Sequence, residues 1–322
     1  MTSGPWVTHV DGNLSSAWTG VGSRRVPDLR SAADLVDASR QMTLIVESRQ
    51  NARVKLIRSL ADRKGRSSAG LFFAEGIRLV VEAQRSSYPI EVVVVCRELL
   101  NSHTGWEAVD AISRTGVQKL EVSANVFRSL STREHPSGVG VVAPIRLTEL
   151  STVDPETDVC LVALVRPQDP GNVGSVIRTC DAAGAAGLIV LGESVDPFDP
   201  RAVRASMGSV FTKAIVRATL PQLREWATAT KTLVIGVSAA AETEFASFTY
   251  PRRTVLVMGS EREGLAGIDP FDASVSIPMV GSADSLNLAV ATAIVLYEVL
   301  RQSTRSQKDK ARPLCLSGET QV

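Results

Sequence analysis

From about residue 46 onward the chain alternates short apolar runs with stretches whose apolar positions recur at helical spacing. In the first block, "GLFFAEGIRLVVEAQ" reads as a strand turning at Gly76 into a helix. "IEVVVVC" follows as a strand, "WEAVDAISRTG" as a helix closed by glycine, and "QKLEVS" as another strand. "ANVFRSLSTREHPSGVGVVAP" adds a helix, a polar loop and a last strand. Mixed elements of these lengths predict a small α/β domain over residues 46–147. At its start, "NARVKLIRSLADRKGR" places Val54, Ile57 and Leu60 on one face and base around them, which predicts a single basic helix over 49–66.

The second block, residues 155–303, alternates more strictly. Strands are predicted at "VCLVALV", "GLIVLG", "KAIVRA", "TLVIGVS", "TVLVMGS" and "SVSIPM". Helices are predicted after Gly171, after Pro200, at "LPQLREWATAT" and from Ser285 onward. Nearly continuous apolar strands separated by helices indicate a parallel sheet covered on both faces. Residues 1–45 lack sustained periodicity and predict a flexible extension, with one short helix around "SAADLVDASRQM". The polar end, 304–322, predicts a fraying tail.

Composition narrows the function. The chain has 322 residues, 44% of them hydrophobic and 21% charged, which suits two soluble domains. Its net charge is only +1, so attraction to nucleic acid has to come from a local cluster. The basic helix provides one: Arg49, Arg53, Lys55, Arg58, Arg63, Lys64 and Arg66 face only Glu47 and Asp62. Taken alone, such a run is most simply a solvated helix face. Four scattered cysteines and three histidines form no metal constellation and suit reduced thiols in a cytoplasmic protein. No signal peptide opens the chain, and no apolar run is long enough to span a membrane.

Ligands of parallel sheets lie beyond the carboxyl ends of the strands. Three loops there carry candidate chemistry. In "RPQDPGNVGSVIRTCDAAGA", Pro170, Gly171 and Gly174 shape a turn and Asn172 is placed to cap the helix that carries Arg178. In "VLVMGSEREGLAG", Gly259 and Gly264 let backbone approach a ligand, and Glu261 directly follows an apolar strand. In "IPMVGSADSLNLAVATAIVLYE", Ser285 is a candidate cap, while Asn287 is an amide on an otherwise apolar helix and needs a partner. Each loop also has a plain structural reading as a capped strand–turn–helix. No G-x-G-x-x-G, Walker loop or nucleophile elbow follows any strand, which disfavours a nicotinamide-dependent enzyme.

In that order, these three segments resemble the motifs of the SpoU/TrmH family of RNA 2′-O-ribose methyltransferases. "GLFFAEGIRLVVEA" and "HPSGVGVVAP" resemble the substrate-binding domain often fused ahead of the catalytic one. "FDPRAVRASMGSVF" and "SIPMVGSADSLN" resemble the branch acting on 23S rRNA, which includes enzymes of the antibiotic-resistance type. The resemblance implies a deep trefoil knot in the catalytic domain, S-adenosylmethionine as cofactor, a homodimer, and no metal. By position it implies cofactor contacts at Gly259, Ile277 and Leu286, with Met279 and Val237 near the adenine. Asn172, Arg178, Glu261, Ser285 and Asn287 match the catalytic positions, with Arg178 as phosphate clamp or general base. Phosphate contacts fall to Arg53, Lys55, Arg58, Arg63, Lys64 and Arg66. Two positions depart from the family: Ser260 stands where asparagine is frequent, and Ala289 where serine is. A tRNA ribose methyltransferase and a catalytically idle RNA-binding protein are the alternatives.

Overall fold

The computed structural model describes residues 45–154, 159–192, 194–268 and 271–311. The expected extension, its short helix and the end of the tail therefore lie outside the described residues. The first unit begins with helices α1 (Ala52–Ser59) and α2 (Arg63–Ala69). Strands β1 (Leu71–Glu75), β2 (Val92–Val95), β3 (Gln118–Glu121) and β4 (Val139–Pro144) form its sheet. Helices α3 (Ile77–Arg85), α4 (His103–Arg114) and α5 (Ala124–Leu130) connect them. The strand order is β1-β4-β2-β3, with β4 antiparallel to both neighbours and β2 parallel to β3.

The second unit contains β5 (Leu161–Val165), α6 (Pro170–Ala183), β6 (Gly187–Leu191), α7 (Pro200–Ala205), β7 (Ala214–Ala218) and α8 (Leu220–Thr230). It continues through β8 (Leu233–Val237), β9 (Thr254–Met258), β10 (Ala273–Val275) and α9 (Leu288–Ala311). Its six strands run in the order β10-β8-β9-β5-β6-β7 and pair in parallel throughout. From β5 the chain builds β6 and β7 outward on one side, then returns to place β8, β9 and β10 on the other. The topological switch point thus falls between β5 and β9, where open α/β sheets leave a crevice.

Successive strand residues point to opposite faces, and the cores divide accordingly. Leu161, Ala163 and Val165 face α8 through Leu223 and Trp226, whereas Val162 and Leu164 join the core beneath α6 and α9. That second core runs on into the first unit through Phe72, Ala74, Val93 and Val141. Aromatic rings close the junction: Phe72 lies 5.0 Å from Phe198, and Tyr88 lies 5.1 Å from Phe211. The opposite face of the first sheet buries Leu71 and Phe73 against α1 and α5.

Several expectations are corrected. The single basic helix is two, broken between Ser59 and Arg63, because Arg66 turns inward. Its Nη1 donates to the carbonyls of Leu60 (3.0 Å) and Ala61 (2.9 Å), and its Nε meets Asp196 Oδ2 at 2.7 Å. A charge is buried only with such partners. Gly174 lies inside α6 rather than in its turn. A Cβ there would stand 2.1 Å from the Ala202 carbonyl, so the glycine lets α7 cross closely. The strand in "SVSIPM" is short, ending at Val275. Helix α9 begins at Leu288, not Ser285, and continues past 303 to Ala311. Among the described residues no helix is long and apolar enough to cross a membrane.

Candidate active site

Parallel register brings the three motif loops together. Val237 pairs with Met258 and with Val275, while Leu164 pairs with Met258, so β10, β8, β9 and β5 end in one row. The segments leaving β5 and β9 emerge side by side at the switch point, and the one leaving β10, on the far side of β8, reaches them through Asn287.

Side chains then join the loops. Asp169, followed by Pro170 at the first helical position, caps α6: its carboxylate accepts from Asn172 N at 3.0 Å. Asn172 is therefore inside the first turn, not the cap, and its amide is free to reach across. Its Nδ2 donates to Glu261 Oε1 at 3.0 Å, and its Oδ1 accepts from Asn287 Nδ2 at 2.9 Å. Asn287, rather than Ser285, caps α9, its Oδ1 accepting from Ala289 N (2.9 Å) and Val290 N (3.3 Å). Glu261 uses its other oxygen to accept from Gln168 N at 3.1 Å.

The polarity of this chain is set from both ends. Ionised Glu261 can only accept, and Asn287 Oδ1 is held by two backbone donors, so both amides have one workable orientation. Burial pushes the Glu261 carboxyl up. Hydrogen bonds from Asn172 and from the backbone around residues 168, 169 and 261 outweigh it and hold the pKa below 4.5. A carboxylate so stabilised is a poor base and a good anchor.

The other predicted residues are placed as follows. Arg178 is exposed on α6 and its side chain has no polar partner among the described residues. Ser285 bonds only Asp284 Oδ1, at 3.3 Å. Val237 and Gly259 end and follow their strands, and Ile277, Met279 and Leu286 line the segment between β10 and α9. A Cβ on Gly259 would lie 2.2 Å from the Gly264 backbone, so this glycine serves the turn itself, closed by the Ser260–Gly264 pairing. Ser260, in place of the frequent asparagine, accepts from Glu263 N at 3.1 Å. Lys55, Arg58 and Lys64 are exposed, Arg53 is partly buried, and Arg63 donates to the Ser194 carbonyl at 3.0 Å. Arg66, at 1% exposure, is out of reach of any phosphate. Sequence reasoning missed the capping role of Asp169, although an aspartate directly before proline is a helix-start signal.

Residues 160–297 match the SpoU rRNA methylase family, and residues 51–140 match the MRM3-like substrate binding domain. A 23S rRNA (uridine(2479)-2′-O)-methyltransferase from Streptomyces viridochromogenes is 32% identical over 85% of this chain and 96% of its own length. The chain belongs to the SpoU rRNA methylase family. A second relative, the 23S rRNA (guanosine(2553)-2′-O)-methyltransferase RlmP of Bacillus subtilis, is 29% identical over 79% of this chain and 98% of its own. Among solved structures, the AdoMet-bound rRNA methyltransferase of Sinorhizobium meliloti superposes with a TM-score of 0.71. It is 36% identical, covering 80% of this chain and 97% of that one. The SpoU methyltransferase AviRb of S. viridochromogenes, in complex with AdoMet, gives 0.72 at 30% identity over 79% and 99% of the two chains. This SpoU protein is accordingly an S-adenosylmethionine-dependent RNA 2′-O-methyltransferase acting on rRNA.

Proposed function

We propose that the enzyme methylates a ribose 2′-hydroxyl of 23S rRNA in the cytoplasm, using the Asn287–Asn172–Glu261 relay to hold the sugar's binding edge. The observation that carries this reading is the relay itself: one directed chain of hydrogen bonds ties all three motif loops together at the switch point. The 23S assignment is supported by likeness, over 85% and 79% of this chain, to two enzymes named for that substrate.

The residues present fit the methyl donor. Val237, Ile277, Met279 and Leu286 offer apolar surface beside a glycine turn, and Leu286 and Val280 are exposed. Such walls, with backbone groups between them, suit a largely neutral adenosine. When bound, the cofactor supplies a methyl group already activated by its sulfonium sulfur. The chain's work is then alignment and exclusion of water. Asn172 and Asn287 each have one amide N–H left over to orient the ribose, and Ser285, whose hydroxyl proton goes to Asp284, has an oxygen left to accept. Arg178 clamps the target phosphate with its planar guanidinium. Arg53, Lys55, Arg58, Arg63 and Lys64 position the RNA without reading it.

The segment between β8 and β9 supports the expected knot. It bonds the chain beyond β10 at two places: Phe245 N donates to Ser276 O at 2.8 Å, and Gln302 Nε2 donates to Phe248 O at 2.9 Å. A second copy is proposed to cover α9, where Val290 and Tyr297, each 49% exposed, flank Ile294 on one stripe.

The test is incubation with labelled S-adenosylmethionine and 23S rRNA or, separately, tRNA, with ribose methylation mapped by primer extension. Transfer to one 23S position is expected. Transfer to tRNA alone would overturn the substrate assignment, and cofactor binding without transfer to either would overturn the catalytic reading. An Arg178→Ala enzyme is expected to lose turnover and keep cofactor affinity.

A further inference from the structure

Arg166 leaves β5 with φ at +45°, the left-handed conformation that a residue with a Cβ adopts only against its own sterics. The next residue is Pro167, which pushes its predecessor toward extended backbone instead. Sequence therefore argues for an extended residue at 166, or for glycine, and the chain has neither. The backbone is held on both sides: Arg166 N donates to Leu191 O at 3.0 Å, and Pro167 O accepts from Val195 N at 3.2 Å.

What the conformation achieves is visible in the side chain. Arg166 Nη2 reaches Glu263 Oε2 at 2.7 Å, spanning from the end of β5 to the loop after β9. Both side chains are well exposed, 47% and 60%, so the ion pair adds little to stability. Strain at 166 and a weak surface pair do not explain each other as a stabilising device. Backbone outliers of this kind cluster where geometry serves the chemistry.

The pair sits beside the relay. Two residues beyond Arg166, Gln168 N donates to Glu261, and two residues before Glu263 is Glu261 itself. The Arg166–Glu263 contact and the Gln168–Glu261 contact are thus parallel rungs between the same two loops. Glu261 can reach Asn172 only if those loops keep their spacing.

We propose that Arg166 and Glu263 are positioning residues for methyl transfer: their ion pair fixes the distance between the first and second motif loops, and so the placement of Glu261 and Asn172. The inference rests on the relay reading given above. It assigns Arg166 no contact with RNA or cofactor.

Arg166→Gly is the informative variant, because glycine accepts φ +45° freely and removes only the strut. Turnover on 23S rRNA is expected to fall about 10- to 100-fold, the scale of a misplaced reacting group. Cofactor Kd and the KM for RNA should stay within about twofold, with the melting temperature unchanged or higher. Glu263→Gln should lose turnover in the same way, Arg166→Lys should retain part of it, and the exchange Arg166→Glu with Glu263→Arg should recover more than either single change. Unchanged turnover in Arg166→Gly would overturn the proposal. A loss confined to KM, with a weaker salt dependence, would also overturn it by making Arg166 a phosphate contact. A wild-type enzyme that transfers no methyl group would sink the underlying reading instead, which the wild-type control distinguishes.

Discussion

Replacing Glu261 by glutamine changes one oxygen into an amide nitrogen and leaves the shape almost intact. In the native site both carboxylate oxygens accept, one from Asn172 Nδ2 at 3.0 Å and one from Gln168 N at 3.1 Å. Glutamine offers a single acceptor. If its oxygen faces Gln168, its N–H₂ faces Asn172, which would have to flip. That flip would put two N–H groups face to face at Asn287, whose own amide is held by the cap of α9. If its oxygen faces Asn172, Gln168 N loses its acceptor. Either arrangement forfeits one hydrogen bond to a charged group, about 1.5–3 kcal/mol when shielded. Glu261 is solvent-exposed, which screens the interaction and reduces the loss to about 1–2 kcal/mol, or a factor of about 5–30.

The assay is single-turnover methyl transfer to 23S rRNA at saturating cofactor, with cofactor Kd measured separately. Turnover in Glu261→Gln should fall by that factor while Kd holds. The sign with pH follows from the depressed carboxyl pKa. A lowered folded-state pKa contributes stability above the ordinary value of 4.5 and loses it as pH falls through the folded value, so the gap in melting temperature should close in that acid range. Turnover equal to wild type, or a gap that widens in acid, would refute the argument.

Asn287→Asp keeps the acceptor that caps α9 but sets an oxygen against Asn172 Oδ1, so turnover should drop with the melting temperature preserved; Asn287→Ala should lose both, about 0.5–2 kcal/mol of it from the cap. Arg66→Ala leaves Asp196 buried with only Arg217 at 3.4 Å and Phe198 N as partners, and urea titration should show a loss of about 3–5 kcal/mol. Val290→Asp with Tyr297→Asp puts charge on the apolar stripe of α9; sedimentation is expected to show a dimer for the unaltered protein and a monomer for this variant.

Much of the architecture was legible because it is local. Period-two and uninterrupted apolar runs marked the strands, and the order of the three motifs marked the family, since each signal lies within a few residues of chain. Some of the corrections also have a local cause. Asp169 before Pro170 is a stronger cap signal than Asn172, because proline suits the first helical position, whereas Ser285 and Asn287 are equally good caps by residue type. Gly174 looked like a turn residue because a helix-crossing glycine and a turn glycine are identical in sequence.

What only the tertiary structure decided is direction across long separations. Asn287 meets Asn172 across 115 positions, and Glu261 meets Asn172 across 89, because the strand order sets β9 beside β5. Arg66 shows the same limit from the other side. Its neighbours predicted a solvated helix face, yet an aspartate 130 positions away, carried by the second unit, draws it into the interior. Pattern records which face of an element is apolar. It does not record which element will come to lie against a polar side chain, and that partner decides whether the side chain is a surface charge, a buried strut or part of the site.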